Sequence, residues 1–453
     1  MSGGVEPSVL LCGLGIDTMS MLTDDGPLSG RSLIALVDDP TSLSSHAVDV
    51  VARFDVQVVS SAEAGTLLAD RYIDLVLRSP GFPVRHPALA ALRDGGVSST
   101  TPLGYWLGLH GSDYTTIGIT GTKGKSTTTA LVEATLVAMG SAVVVGGNIG
   151  TPIWARRGDI RPETIVVLEV SSYMASDIAA VPRFGVLTSL DADHVSWHGS
   201  LEAYRRDKLR LFGADDRACR VVVPAHEQVA IDALVAAGHH PILVDGAAES
   251  FAPGVDLLVE RGFPPHVGSN FALAVAVAQM AASAECTPDQ QRQVAGAFSS
   301  LPSRHNTIAQ RNGIRWIDDA LASNPMATAI ALDAVKEPDC VLIVGGTARD
   351  VELAVVTAAA NRRAGGRMVV ISLPDNGNDI AAAVLAGRAD AVVQSADSVD
   401  DAVRIAAQTV EEGSFGPTAV LFAPGAPTPV RFGTYIDRAA DFAAAVRALP
   451  ERG

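Results

Sequence analysis

The sequence predicts an α/β chain in three parts: an N-terminal Rossmann-like sheet, a central sheet carrying a P-loop, and a C-terminal Rossmann-like sheet. Three observations predict it. Short apolar runs of strand length alternate with Ala-rich segments of helical composition from end to end. The runs stop at turn residues such as Gly13-Leu14-Gly15, Asp38-Asp39 and Ser79-Pro80-Gly81, where parallel sheets place their ligands. The chain has 453 residues, 48% of them hydrophobic, enough for two to four domains and too apolar for disorder.

The first block, 1–110, holds strand candidates Val9–Cys12, Leu33–Val37 and Ile73–Leu77. Its glycine signal is incomplete, because Thr18 stands where a dinucleotide fingerprint has its third glycine. Gly15 therefore reads as a nucleotide loop or a tight turn alike, and Asp38 and Asp39 as ribose contacts or a solvated turn.

The second block, 111–300, opens with strand Thr115–Thr120, the loop Gly121-Thr122-Lys123-Gly124-Lys125-Ser126 and a helix over Thr127–Met139. This is the recipe for a phosphate cradle. Backbone N–H groups and a helix N-terminus face the anion, a lysine neutralises it, and a hydroxyl reaches Mg²⁺. Ile119 replaces the first glycine of the generic motif. The lysine count adds weight: among 34 Lys and Arg only Lys123, Lys125, Lys208 and Lys336 are lysines. Downstream, Glu169 ends the apolar strand Thr164–Leu168, well placed for a metal or for water activation. Strand Val186–Leu190 runs into Asp191-Ala192-Asp193-His194, with His198 beyond it, a set suited to Mg²⁺ or proton transfer.

The third block, 301–453, starts at a Pro/Ser segment that reads as a hinge, and carries strands near 315–318, 340–344, 368–372 and 419–422. Its candidate site residues again lie at strand ends: Asp318-Asp319, Gly345-Gly346 and Pro424-Gly425.

A net charge of −16 and a pI near 5.0 argue against nucleic acid or an anionic membrane as partner. The four cysteines are scattered, as in a reduced protein without structural zinc. No run approaches the roughly 18 apolar residues of a membrane span, and the N-terminus lacks a basic signal region. A cytoplasmic location is expected.

The run TGTKGKSTTTALVEA (120–134), GGNIG (146–150), LEVSSY (168–173), DADHVSWHG (191–199), YRRDKLRLF (204–212), LPSRHN (301–306), IDDALASNP (317–325) and FAPGAP (422–427) resembles the Mur ligases. These are cytoplasmic ATP-dependent ligases of peptidoglycan synthesis. With LRSPGFPVRHP (77–87), the chain is most similar to the MurD group, which adds glutamate to UDP-N-acetylmuramoyl-L-alanine.

The resemblance implies roles. Gly121, Thr122, Lys123, Gly124, Lys125, Ser126 and Thr127 would surround the ATP phosphates, and Asn270, Arg304 and Asp319 would lie near adenine, ribose and phosphate. Ser126, Glu169 and His194 would hold two Mg²⁺ ions. Lys208 matches the lysine that this family carbamylates with CO₂, which turns a cation into an anion able to orient a metal. Gly15, Asp38, Asp39, Ser79 and Gly81 would lie near the uridine nucleotide, and Asn148 on the muramoyl substrate. Lys125, Lys208, His194 and Asp193 are the catalytic candidates, the last two as alternatives for the base. Closure about the 301 hinge would shield an acyl phosphate from water. A monomer is expected.

The departures fall where the amino acid binds. D-Glutamate ligases carry D-S-K-A-T-N where this chain has Asp319-Ala320-Leu321-Ala322-Ser323-Asn324, so Leu321 replaces a lysine. Arg349 matches a second lysine, and Thr428 and Tyr435 a serine and a phenylalanine. Valine at 267 replaces an asparagine common near adenine. Arginine and lysine differ in reach and fork geometry, so Ser323, Arg349, Thr428 and Tyr435 would hold glutamate differently. This pattern is similar to the variant that adds L-glutamate. The alternatives are the D-glutamate reaction, a folylpolyglutamate-synthase-like ligase, or a non-catalytic nucleotide-binding relative. A folylpolyglutamate synthase would lack this N-terminal sheet, and a non-catalytic relative would not need Lys208, Glu169 and His194 together.

Overall fold

The structure, a computed structural model, describes residues 7–43, 45–63, 71–148, 150–214, 218–299, 302–347, 353–363, 365–413 and 415–450. The chain forms two compact units, Met1–Phe298 and Ser299–Gly453.

The first unit holds two parallel sheets. In the N-terminal one, β1 (Ser8–Cys12), β2 (Ser32–Val37), β3 (Gln57–Ser60), β4 (Ile73–Arg78) and β5 (Ser99–Thr100) lie in the order β3-β2-β1-β4-β5. In the central one, β6 (Thr115–Thr120), β7 (Val143–Gly147), β8 (Ile165–Glu169), β9 (Phe184–Leu187), β10 (Arg220–Pro224) and β11 (Ile242–Val244) lie in the order β11-β10-β9-β6-β8-β7. Alternation along β1 sends Leu10 and Cys12 to one face and Val9 and Leu11 to the other. The second pair joins one core with Leu77, Trp106, Leu168, Leu187 and Phe212. That shared core binds the two sheets into one unit. The far face of the central sheet packs Ile117 and Ile119 against Leu131 and Phe271, from the helices Lys125–Ala138 and Pro265–Ala282.

The second unit is a six-stranded sheet of β12 (Asn306–Arg311), β13 (Ile314–Asp318), β14 (Asp339–Val344), β15 (Met368–Ser372), β16 (Val392–Ser395) and β17 (Thr418–Phe422), ordered β12-β13-β17-β14-β15-β16. Only β12 is antiparallel. The chain runs outward from β14 to β16 and returns as β17 on the other side of β14. The strand order therefore reverses between β14 and β17, the crevice where such sheets take ligands.

Of the boundaries that differ from the sequence reading, two bear on the site. The strand expected to reach Leu190 ends at Leu187, because Thr188 and Ser189 leave the ladder to bond the phosphate loop. The helix expected from Thr127 begins at Lys125, since Gly124 at φ +85° makes the turn that starts it. Among the described residues no helix is long and apolar enough to cross a membrane.

Candidate functional site

Residues 121–124 leave the end of β6 and enter the helix Lys125–Ala138. Gly121 has φ +155°, and a Cβ there would collide with Thr188 Oγ1, so only glycine fits. The loop is tied down from below. Ser189 Oγ accepts from the Lys123 N–H at 3.0 Å, Thr188 Oγ1 donates to the Lys123 carbonyl, and Thr122 Oγ1 pairs with Tyr204 OH at 2.8 Å. Asn270, on the neighbouring helix, lies against Gly124: a Cβ there would meet Asn270 Oδ1 at 2.9 Å. Ser126 is buried and Thr127 half-buried in the first helical turn.

Two lysine Nζ atoms converge on one carbonyl. Lys125 Nζ donates to Gly121 O at 2.9 Å and to Thr122 O at 3.2 Å, and Lys208 Nζ donates to the same Gly121 O at 2.9 Å. Lys208 is 2% exposed and sits over the Tyr204 ring, 4.9 Å from its centroid. Burial lowers its pKa well below that of an ordinary lysine, helped by Lys125 and opposed by Asp193 and Glu169.

Glu169 ends β8, with Ile119 of β6 on one side and Gly147 of β7 on the other. Its Oε1 accepts from Asn148 Nδ2 at 2.8 Å, while Oε2 is buried without a hydrogen-bond partner. A buried carboxylate oxygen with no donor fits a cation ligand. His194 takes a left-handed conformation at φ +50°, pairs through Nδ1 with Tyr173 OH at 2.9 Å, and keeps Nε2 at 3.6 Å from Asp193. Among the described residues no group of three or more His, Cys, Asp or Glu side chains forms a metal site. Ser126, Glu169 and His194 are thus a sparse set, as suits a hard cation that takes most of its oxygen ligands from phosphate and water.

In the N-terminal sheet, Ser79 Oγ accepts from the Gly15 N–H at 2.9 Å, donates to Gly13 O at 3.0 Å and pairs with Thr18 Oγ1 at 2.8 Å. Thr18, which breaks the glycine fingerprint, is what fastens Ser79. Asp39 caps a short turn, its carboxylate accepting from the Thr41 N–H at 2.9 Å and Oγ1 at 2.7 Å. Thr41 holds its pKa below the usual carboxylate range. Asp38 is exposed and accepts from Ser61 Oγ. Gly81 accepts from Trp197 Nε1 at 3.2 Å.

In the second unit, the loop carrying Arg304 is bound to the end of β13, with the His305 N–H donating to Asp319 at 3.0 Å and Ser303 Oγ to Asp318 at 3.0 Å. At the β14/β17 switch point, the Gly425 N–H donates to Ala322 O and the Thr347 N–H to Pro427 O, each at 2.8 Å. The loops bearing Ser323 and Thr428 are thereby knit together. Tyr435 opens the last helix, behind the Thr434 cap. Arg349 lies outside the described residues.

Sequence reasoning missed Arg78, which is wholly buried between the two sheets of the first unit. It forms a two-pronged ion pair with Asp177, at 2.9 and 2.7 Å, and donates to the carbonyls of Ser79, Pro80, Phe82 and Tyr173. It thus ties the Ser79–Phe82 loop to the segment following Glu169. The arginine lies inside the LRSPGF motif, but nothing local distinguishes it from a surface cation. The DADHVSWHG run marks His198 as one member of a cluster, and its role comes from packing. It is buried between Asp207, at 2.8 Å, and Ser172, at 3.0 Å, and anchors the helix of Lys208.

A family model described as the Mur ligase middle domain matches residues 119–246. The chain is 33% identical to the UDP-N-acetylmuramoyl-L-alanine–L-glutamate ligase of Micromonospora sp., over 83% of this chain and 82% of the relative. It is 31% identical to the UDP-N-acetylmuramoylalanine–D-glutamate ligase of Zymomonas mobilis, over 84% of this chain and 85% of the relative. In fold it is similar to the UDP-N-acetylmuramate–alanine ligase MurC of Thermotoga maritima, with TM-score 0.55 and 15% identity, covering 97% of this chain and 99% of that one.

Proposed function

This chain belongs to the Mur ligase family, and on that premise we propose that it joins glutamate to UDP-N-acetylmuramoyl-L-alanine, converting ATP to ADP and phosphate, in peptidoglycan precursor synthesis. The observation that carries the reading is the buried amine of Lys208 on the Gly121 carbonyl of the phosphate loop.

In the first step the substrate carboxylate attacks the γ-phosphorus, and the bond to ADP breaks to leave an acyl phosphate. In the second the glutamate amine attacks the acyl carbon, phosphate departs with the C–O electron pair, and the amine proton passes to a base, for which His194 and Asp193 are the candidates. Both steps crowd anions together. Lys123, Lys125 and the N–H groups opening the helix at Lys125 supply fixed positive charge there. Ser126, Glu169 and His194 would hold Mg²⁺, which when bound neutralises phosphate charge. The buried Lys208 amine, whose pKa burial lowers, suits carbamylation, in which an N–C bond to CO₂ forms and a proton leaves. Gly15, Ser79 and Gly81 serve the uridine nucleotide, with Asp38 and Asp39 at its rim. Asn270, Arg304 and Asp319 complete the ATP contacts, and Ser323, Arg349, Thr428 and Tyr435 those to glutamate. On this reading residues 1–110, 111–300 and 301–453 carry the UDP substrate, ATP and glutamate respectively, in a cytoplasmic monomer.

The finer reading is L-glutamate, supported by Leu321 and Arg349 in place of lysines and by the Micromonospora relative. The D-glutamate reaction is the second reading, favoured by the Zymomonas relative of nearly equal identity. Phosphate release with UDP-N-acetylmuramoyl-L-alanine, ATP and Mg²⁺ decides between them. L-Glutamate is expected to support turnover, D-glutamate alone would reverse the stereochemistry, and release with neither would refute the ligase.

A further inference from the structure

The second unit contains a cavity of about 390 Å³ at the carboxyl ends of β14, β15 and β16, bounded by Gly346, Leu373 and Asp397. It lies beside the switch-point loops, but Thr428 and Tyr435 do not line it. One wall is the last helix, Tyr435–Ala448, through Arg438, Asp441, Ala444 and Ala445.

Arg438 is 4% exposed, yet it makes one hydrogen bond, from Nη1 to Gly345 O at 3.0 Å. Its Nε is buried with no partner. The guanidinium lies over Phe422, 5.2 Å from the ring centroid, a contact that satisfies charge but not its remaining N–H donors. Burial pulls its pKa down to about 10, opposed by Asp375 and Asp441. Arg78 shows the contrast. Equally buried, it has a carboxylate on one edge and carbonyls on the others. A buried arginine short of acceptors that also borders a cavity is poised for an anionic group from outside the chain.

The rest of the lining narrows the choice. Asp441 stands one helical turn beyond Arg438 on the same face, and Asp397 and Asp400 sit across the opening, all three exposed. Three carboxylates at the mouth repel a phosphate dianion and attract an ammonium group. Leu373, Pro374, Val399 and Ala445 make the walls apolar. We propose that this cavity binds a zwitterionic amino acid with an aliphatic side chain, its carboxylate on Arg438 and its ammonium group on Asp441.

The test is calorimetric titration of the full chain with L-leucine, against leucinamide, which lacks the carboxylate, and 4-methylpentanoate, which lacks the amine. Leucine is expected to bind saturably, and each analogue about tenfold or more weakly. Asp441→Asn, an exposed change that keeps the side-chain shape, is expected to weaken leucine about tenfold with the fold retained by circular dichroism. Ala445→Phe, which fills the cavity, should abolish binding. No saturable leucine binding, equal binding of leucinamide, or leucine binding untouched by both substitutions overturns the proposal. So does a raised KM for glutamate in Asp441→Asn, which would make the cavity part of the glutamate site. Failure of the ligase assay itself would leave this binding result standing.

Discussion

Replacing Arg78 by alanine is expected to be among the costliest single changes in the first unit. Seven hydrogen bonds between 2.7 and 3.2 Å disappear, two of them to Asp177. Asp177 has 8% side-chain exposure and would keep Ser99 Oγ as a donor. Removing one partner of a buried ion pair costs about 3–5 kcal/mol, because the other charge is left in a poorly solvating interior. At about 2 °C per kcal/mol for a large unit, the melting temperature should fall by roughly 6–10 °C. Differential scanning calorimetry reads this directly. Arg78→Lys keeps a charge without the fork and should recover part of the loss. The double variant Arg78→Ala/Asp177→Ala should be less destabilised than the sum of the single changes. A fall under about 3 °C for Arg78→Ala, or simple additivity, would refute the view that this pair joins the two sheets.

Two further predictions concern the site, and a third the short helix Ile16–Met19. Lys208→Ala is expected to lose ligase activity and to regain part of it with formate or acetate; full activity in the variant would remove the carbamate role. Glu169→Gln keeps the shape and the Asn148 contact but removes the charge, and should lower ATP-dependent phosphate release by about a hundredfold or more, with a raised Mg²⁺ requirement. Asp17, whose pKa burial raises to about 6, tests linkage. Between 3.8 and 6 the folded chain alone holds the proton, so native stability falls as pH rises through that window. Asp17→Asn should therefore raise native stability at about pH 7 by roughly 1 kcal/mol after screening, read as a higher melting temperature, and leave it unchanged near pH 3.

Much of this architecture was legible because buried parallel strands are continuous apolar runs. Residues 9–12 and 340–344 announce themselves in this way. Short or edge strands do not. Gln57–Ser60 and Val392–Ser395 are half exposed, and Val143–Gly147 ends in glycines that read as a loop. The phosphate loop was equally plain, because a left-handed turn needs glycine and a phosphate needs lysine, and both are statements about residue type.

What the sequence determined by itself was therefore chemistry that local residue types dictate: three α/β blocks, a phosphate cradle, and a set of candidate side chains with a family resemblance. Tertiary structure decided what those side chains meet. It buried Lys208 against the Gly121 carbonyl, left one oxygen of Glu169 without a donor, and gave Arg78 a full set of acceptors while giving Arg438 one. The reason is range. Residue type sets what a group can bond to, but the desolvation and partners that set its charge state come from elements dozens of positions away, which only the folded packing brings within 3 Å.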